Sequence, residues 1–415
     1  MSAETARIAR DRFRTGVLGV CVAAIGSLSA TDRAGAQEII ELPGEDRWLE
    51  ADFQEVYEVG AAVGVAWQEF GRVRNVAFDG AGNLYVLDAL AGRVIVVTPA
   101  GELLRVVGRL GEGPGEFGGA TWMAVMRDGR IVVGDLGQRA YLVFDADGEF
   151  ERQVRPDGNP AHVSFMRMWP ESGGESVVVG TQLAGGSYFG GFPEGIPRPL
   201  TRPIARLILT GDDVLRETIA EGWRPPRGEA DERRAFEPGL WVGPLPGGKV
   251  AFSDSSAYAI KIASAEAGVS HVLTRPFFPE AVTERMERAE RDRRIVEAGG
   301  GSITRTPDGV RAVGGGGNYW VERAETIEFF EEVPVVHALT TSWGGRIWVQ
   351  RRGEEPHEDG PIDILTADGS YLGSFRTGAT RIPDAFGPGG LAASIERDGF
   401  DVQTVVVKRL PRAAN

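Results

Sequence analysis

Four histidines, one cysteine and three aspartates in matching sequence settings are the residues through which this 415-residue chain could do chemistry. His162, His271, His337 and His357 include no pair at metal-ligand spacing, so no single segment offers a histidine-based metal centre. One histidine alone can act as a general base, but a packed, hydrogen-bonded ring is its commoner state. Asp88, Asp135 and Asp254 invite a calcium reading because hard cations take carboxylate oxygen. Arg93 and Arg139 follow the first two closely, however, and repeated ion pairs or turn hydrogen bonds at strand ends explain the pattern better. No Gly-x-Ser-x-Gly elbow and no His-Glu-x-x-His pair is present, which removes two familiar hydrolase signatures. The aromatic run Tyr188, Phe189 and Phe192, with Trp223 in the next long loop, is the better binding candidate, since aromatics anchor sugars, peptides and partner surfaces.

Bulk properties narrow the partners. A net charge of -14 repels phosphate backbones and leaves no basic footprint, so nucleic acid is excluded. Arg7, Arg10, Arg12 and Arg14 precede the apolar run Val17 to Ala30, and Ala34-Gly35-Ala36 suits a small-residue cleavage site, so residues 1–36 are expected to be an export signal. Cys21 lies inside that run, and the mature chain would hold no thiol, disulfide or cysteine-bound metal. Val20 before it fails the lipoprotein rule, and no later segment reaches the roughly 18 to 20 apolar residues of a membrane span. The expected location is periplasmic or secreted.

The elements that position these residues show themselves as a repeat. Gly82-Asn83-Leu84-Tyr85-Val86-Leu87-Asp88 returns as Gly129-Arg130-Ile131-Val132-Val133-Gly134-Asp135, and Gly101-Glu102-Leu103 returns as Gly148-Glu149-Phe150. A period of about 47 residues with glycine turns between short strands is the signature of one propeller blade. Looser copies begin at Pro246-Gly247-Gly248 and Trp343-Gly344-Gly345, and with Val163 to Thr210 and Leu391 to Leu410 the count reaches six. The expected fold is all-β: a six-bladed propeller over residues 53–410, each blade a four-stranded antiparallel sheet. Residues 37–52 form an N-terminal extension and 411–415 a tail. Val56-Tyr57-Glu58-Val59-Gly60 parallels Leu104-Arg105-Val106-Val107-Gly108, and the last blade stops one strand short. Residues 53–60 are therefore expected to complete that blade and close the ring.

Gly108-Arg109-Leu110-Gly111-Glu112-Gly113-Pro114-Gly115-Glu116-Phe117, followed by a strand and a glycine turn, resembles the bacterial six-bladed propellers related to NHL-repeat proteins. The resemblance implies fold more than task, because that architecture hosts binding scaffolds, lyases, lactone hydrolases and sensors.

Turn lengths point to one face. First-to-second and third-to-fourth turns are short, whereas the long insertions near 182–203, 221–239, 276–334 and 351–361 fall in the other two sets of connections, which share the opposite face. Rigid β scaffolds carry recognition on such loops. Pro279 to Ala298 reads as the one helix, its arginines interleaved with Glu284, Glu287, Glu290 and Asp292 and so self-compensated. Gly314 to Gly317 reads as a hinge. His162 and His337 begin the innermost strands of blades three and five, where they could face the central channel. The function expected is a non-catalytic scaffold that binds a small molecule, glycan or protein through its long loops, with Tyr188, Phe189, Phe192, Trp223, His162 and His337 as candidate contacts. No cofactor is expected; the alternative is a hydrolase or lyase using a divalent cation such as Ca²⁺ in the channel.

Overall fold

The computed structural model describes residues 37–415 except 157–166, 172–175, 181–199, 210, 212, 227–232, 300–301, 307–308 and 314–317. The leader at 1–36, His162, Tyr188, Phe189, Phe192 and the Gly314 to Gly317 stretch lie outside the described residues. Blade 1 is built from Val73–Phe78, Leu84–Asp88, Arg93–Val97 and Leu103–Val107, each strand hydrogen-bonded to the next in chain order. Blade 2 spans Ala120–Val125 to Phe150–Val154, blade 3 Met168–Pro170 to Leu215–Trp223, blade 4 Trp241–Leu245 to Gly268–Thr274, and blade 5 Val336–Thr341 to Tyr371–Phe375. Blade 3 runs beyond Thr210, because residues 181–200 separate its second and third strands.

Second strands such as Leu84–Asp88 and Ile131–Asp135 are buried along their whole length, while the outermost strand Leu103–Val107 is mostly exposed. Face-to-face packing of blades explains this, since an inner strand lies between two neighbouring sheets and needs unbroken apolar sequence. Six apolar clusters result, one at each junction: blades 1 and 2, 2 and 3, 3 and 4, 4 and 5, 5 and 6, and 6 and 1. The protein is thus a six-bladed ring in which blade 2 faces blade 5, and blade 3 faces blade 6. Gly101, Gly148 and Gly369 hold the same turn slot with φ of 83°, 84° and 85°, a left-handed conformation that explains why glycine recurs there.

The sixth blade is shared by the two ends of the chain. Ala385–Phe386, Leu391–Arg397 and Gln403–Arg409 supply three strands, and Gln54–Val59 pairs antiparallel with the last, Tyr57 opposite Val407 and Val59 opposite Val405. The closing strand lies where the sequence placed it. In hydrogen exchange, the paired amides within 57–59 should be protected together with those of Val405 to Val407; free exchange of the N-terminal segment alone would show that the latch does not hold in solution.

The extension before it does more than lead into the ring. Glu38–Glu41 adds a fifth strand to blade 4, parallel to Gly268–Thr274. The chain then crosses blade 5, where Ser374 donates its amide to Arg47 and accepts from Leu49. Residues 38–59 therefore form a strap over the outer edges of three consecutive blades.

A buried network fastens the strap. Asp363 of blade 5, fully buried, accepts from Arg275 of blade 4 at 2.8 Å, from the Tyr258 hydroxyl at 2.8 Å and from Ser374 at 2.6 Å, and lies 3.2 Å from Arg351. Asp46 of the strap bonds the same two arginines, at 3.1 Å to Arg275 and 2.6 Å to Arg351. Arg275 also donates to the carbonyls of Pro43 and Glu45. Burial works to lower the Arg275 pKa, but the Asp363 carboxylate overrides it and the value is raised; burial, then Asp363, pushes Tyr258 well up.

The connection from blade 4 to blade 5 holds two helices where the sequence suggested one. Glu284–Gly299 corresponds to the expected helix, and Asn318–Glu325 is a second, short and close behind glycines that obscure its pattern. The first begins later than expected because Glu280–Ala281 pairs with Glu332–Val333. Its charges do pair internally: Glu290 meets Arg293 at 2.7 Å and Arg294 at 2.6 Å. Phe329 bridges to Ala235, and Arg285 meets Glu355 at 2.9 Å, so three long connections join into one cap on the long-loop face. Among the described residues no helix is long and apolar enough to cross a membrane.

Candidate functional site

All six innermost strands run toward the short-turn face, and around their ends they enclose a cavity of about 800 Å³, its mouth included. Phe78, Met123, Val125, Leu245 and Phe386 give it a largely apolar wall. Two guanidinium groups reach across it. Arg127, in the first turn of blade 2, stacks 4.8 Å from the ring centre of Trp343, in the first turn of the facing blade 5. Arg167, at the start of the innermost strand of blade 3, donates to the carbonyl of Asp384 at the start of that of blade 6, and lies 5.7 Å from the ring centre of Trp169. Arg167 keeps some contact with solvent in the channel, yet it is enclosed enough for burial to lower its pKa, with Asp384 acting the other way.

The remaining polar groups of the wall are largely engaged with the protein. Glu171 receives Arg206 in a two-pronged pair at 2.7 and 2.5 Å and also the Ser176 hydroxyl. Asn75 accepts from the Met123 amide at 3.1 Å, Thr341 donates to the Pro244 carbonyl at 2.5 Å, and Ser342 accepts from the Arg346 amide at 3.2 Å. Arg127 and Arg167 are the two guanidinium groups of the wall.

Arg127 and Trp343 were not singled out by sequence reasoning, although the repeat contains a usable signal. Gly80, Arg127, Pro246 and Trp343 each stand two residues before the turn glycine of their blade, at Gly82, Gly129, Gly248 and Gly345. The surrounding frame repeats and this slot does not, and three of its four occupants line the cavity. Arg167 and Trp169 carry no comparable mark.

Of the residues nominated from sequence, His337 and Trp223 are described, and both lie elsewhere. His337 sits at the long-loop end of its strand, 3.4 Å from Asp359, and does not line the cavity. Trp223 ends the outermost strand of blade 3, 41% exposed and edge-on to Phe330. These two are not brought together. His271 lies 3.4 Å from Glu38 of the strap, and His357 is exposed. The repeated aspartates lock turns: Asp88 accepts from the Arg72 amide at 2.9 Å and pairs with Arg93 at 3.3 Å, and Asp254 accepts from the Trp223 amide at 2.7 Å and pairs with Lys261 at 2.8 Å. Asp135 accepts from the amides of Gly119 and Gln138 instead, with Arg139 in a left-handed conformation at φ 54°. Among the described residues no three His, Cys, Asp or Glu side chains converge as a metal site would require.

Comparison with known proteins agrees with the architecture. Residues 68–168 match the DUF5128 family model, described as a 6-bladed beta-propeller. The matched stretch covers the first two blades and the start of the third, where the repeat is clearest. Similar solved structures include a candidate exported protein of Bacteroides fragilis, at 10% identity and TM-score 0.48 over 90% of this chain and 100% of that one. A streptogramin B lyase is similar at 12% identity and TM-score 0.40, over 86% and 98% of the two chains. A gluconolactonase of Xanthomonas campestris is similar at 13% identity and TM-score 0.38, over 88% and 97%. No curated protein matches the chain.

Proposed function

We propose that this propeller is a binding scaffold that performs no covalent chemistry and takes a small organic molecule into its channel at the short-turn face. Its place is the periplasm or the medium, as the leader implies. The observation that carries the reading is the largely apolar cavity on which all six blades converge, the concave kind of site in which small ligands are held. Its only acidic wall residue among those described, Glu171, is tied to Arg206, which favours binding over metal-assisted hydrolysis.

A thermal-shift screen of small organic molecules tests this, because a ligand that binds only the native state must raise its stability. Ala77 lines the cavity and is partly exposed to it, so Ala77→Trp should fill the space and abolish the shifts seen with the unaltered protein. Retention of those shifts in Ala77→Trp, with their loss on shortening the loops near 182–203 and 221–239, would move the site to the long-loop face and to Trp223 and its neighbours.

A further inference from the structure

We infer that two copies of this chain pair through their long-loop faces, the cap of each lying against an exposed apolar cluster of the other. That face has two unlike halves. The cap covers blades 3 to 5, whereas over blades 6, 1 and 2 the connections are short and present apolar side chains. Val63, Val65, Leu90, Leu110 and Phe400 are each 60% or more exposed, with Ala62 and Ala66 exposed beside them. Four of the five gather at one turn. Arg93 donates to the carbonyls of Ala66 at 3.3 Å and Glu69 at 2.8 Å, which holds the loop carrying Val63 and Val65 over the turn where Leu90 stands. Leu110 lies against the same turn, since a Cβ on Gly92 would stand 2.6 Å from its side chain. Phe400 is on the next turn, in blade 6, whose end at Gln403 touches Gly60. Single exposed apolar residues are ordinary, but a cluster of them marks a surface that another body covers.

Charge decides the occupant. Arg72, next to Gly71 and so beside Leu90, and Arg139, in the matching turn of blade 2, are exposed and make no ion pair among the described residues. Of the carboxylates around them, Glu69 accepts from the Gly64 amide at 3.3 Å, Glu116 meets Arg109 at 2.6 Å, and Glu112 is exposed. The cap is the reverse. Glu284, Glu322, Glu325 and Glu332 are exposed there without an ion pair among the described residues, and 221–239, 276–334 and 351–361 together hold 21 acidic against 14 basic residues. A bilayer suits this face poorly, because its headgroups would meet the acidic cap, and anionic lipid would be repelled. A second copy complements both halves at once: a two-fold axis along their border sets each cap on the other's apolar cluster, as a closed pair requires. Carboxylates then face Arg72 and Arg139, while repulsion between two chains of net charge -14 is screened beyond about 8 Å at physiological ionic strength. The short-turn faces stay outermost, so the pairing does not depend on what the channel binds.

Sedimentation velocity of the protein without its leader should show a dimer that dissociates on dilution. Val63→Asp and Leu90→Asp each place an unpaired carboxylate in the covered surface and should leave only monomer. Both side chains are exposed within one copy, so these variants should fold, and an unaltered unfolding midpoint checks this. Charge reversal tests the arrangement itself. Arg72→Glu with Arg139→Glu in one variant, and Glu322→Arg with Glu325→Arg in another, should each weaken self-pairing at least roughly tenfold. Mixed, the two should pair with each other, because opposite signs then meet at both contacts. A monomer at every concentration overturns the inference, and so does a dimer that survives Val63→Asp. A dimer lost in Val63→Asp but indifferent to the cap variant overturns it too, by setting apolar cluster against apolar cluster. A monomer that floats with vesicles of phosphatidylethanolamine and phosphatidylglycerol, and is released by Leu90→Asp, would give the surface to a bilayer instead.

Discussion

A chain lacking residues 37–59 should fail to form a stable ring, with its thermal midpoint lowered by on the order of 10 °C or more and loss extending to every blade. Leu42 and Val59 are almost fully buried in the clusters between blades 4 and 5 and between blades 6 and 1. Each such side chain contributes about 1.5–3 kcal/mol of burial. Removal of Asp46 and of the carbonyls at Pro43 and Glu45 also strips partners from two buried arginines and leaves Asp363 as the one carboxylate that faces both guanidiniums. Blade 6 would lose its fourth strand and expose the Gln403–Arg409 edge. Together these losses rival the about 5–15 kcal/mol by which native proteins exceed their unfolded states. Differential scanning calorimetry decides the matter: a single transition at the full-length temperature would refute the strap's role.

Asp363→Ala should be the most damaging single substitution in the strap network, at about 3–5 kcal/mol. The carboxylate is the common partner of Arg275, Arg351, Tyr258 and Ser374, and its removal leaves two largely buried guanidiniums sharing the single carboxylate of Asp46. Asp46→Ala should cost less, because Asp46 keeps 18% of its side chain exposed and water can take its place. Asp363→Asn, which retains an acceptor but not the charge, should fall between them. Urea unfolding at constant slope measures all three. If Asp363→Ala lies within about 1 kcal/mol of the unaltered protein, the network is not the clasp its geometry suggests.

Local repetition explains what the sequence revealed about this fold. The latch was visible because Gly60 and Gly108 end matching strands, both with positive φ, and each lets a phenylalanine lie against its backbone: a Cβ would stand 2.9 Å from Phe70 at Gly60 and 2.3 Å from Phe117 at Gly108. Such a constraint leaves a spacing that can be recognised. The parallel strand Glu38–Glu41 left none, since four largely exposed residues fit many contexts and its partner lies at Gly268–Thr274. The clasp was equally hidden, because Asp46, Arg275, Arg351 and Asp363 meet only after the ring has closed. The same holds for the site. Tyr188 and Trp223 drew notice as aromatics in long loops, whereas Arg127 and Trp343 come together because two blades three places apart in the ring face each other across its centre.

The strap also sets an order of events during synthesis. Blades 1 to 3 have all their strands once Trp223 is made, but the partners of Glu38–Glu41, Asp46 and Gln54–Val59 are spelled out only at Gly268–Thr274, at Arg275, Arg351 and Asp363, and at Gln403–Arg409. The first strands to leave the ribosome are thus the last to find their places. Contacts of such long range are slow to form because the intervening chain must be ordered first. Until then Ile39 and Val56, both exposed even in the finished ring, remain on segments with open strand edges. A half-made chain therefore lacks the partner of this latch and cannot close prematurely into a smaller ring with it, since Gln54–Val59 must wait for Gln403–Arg409.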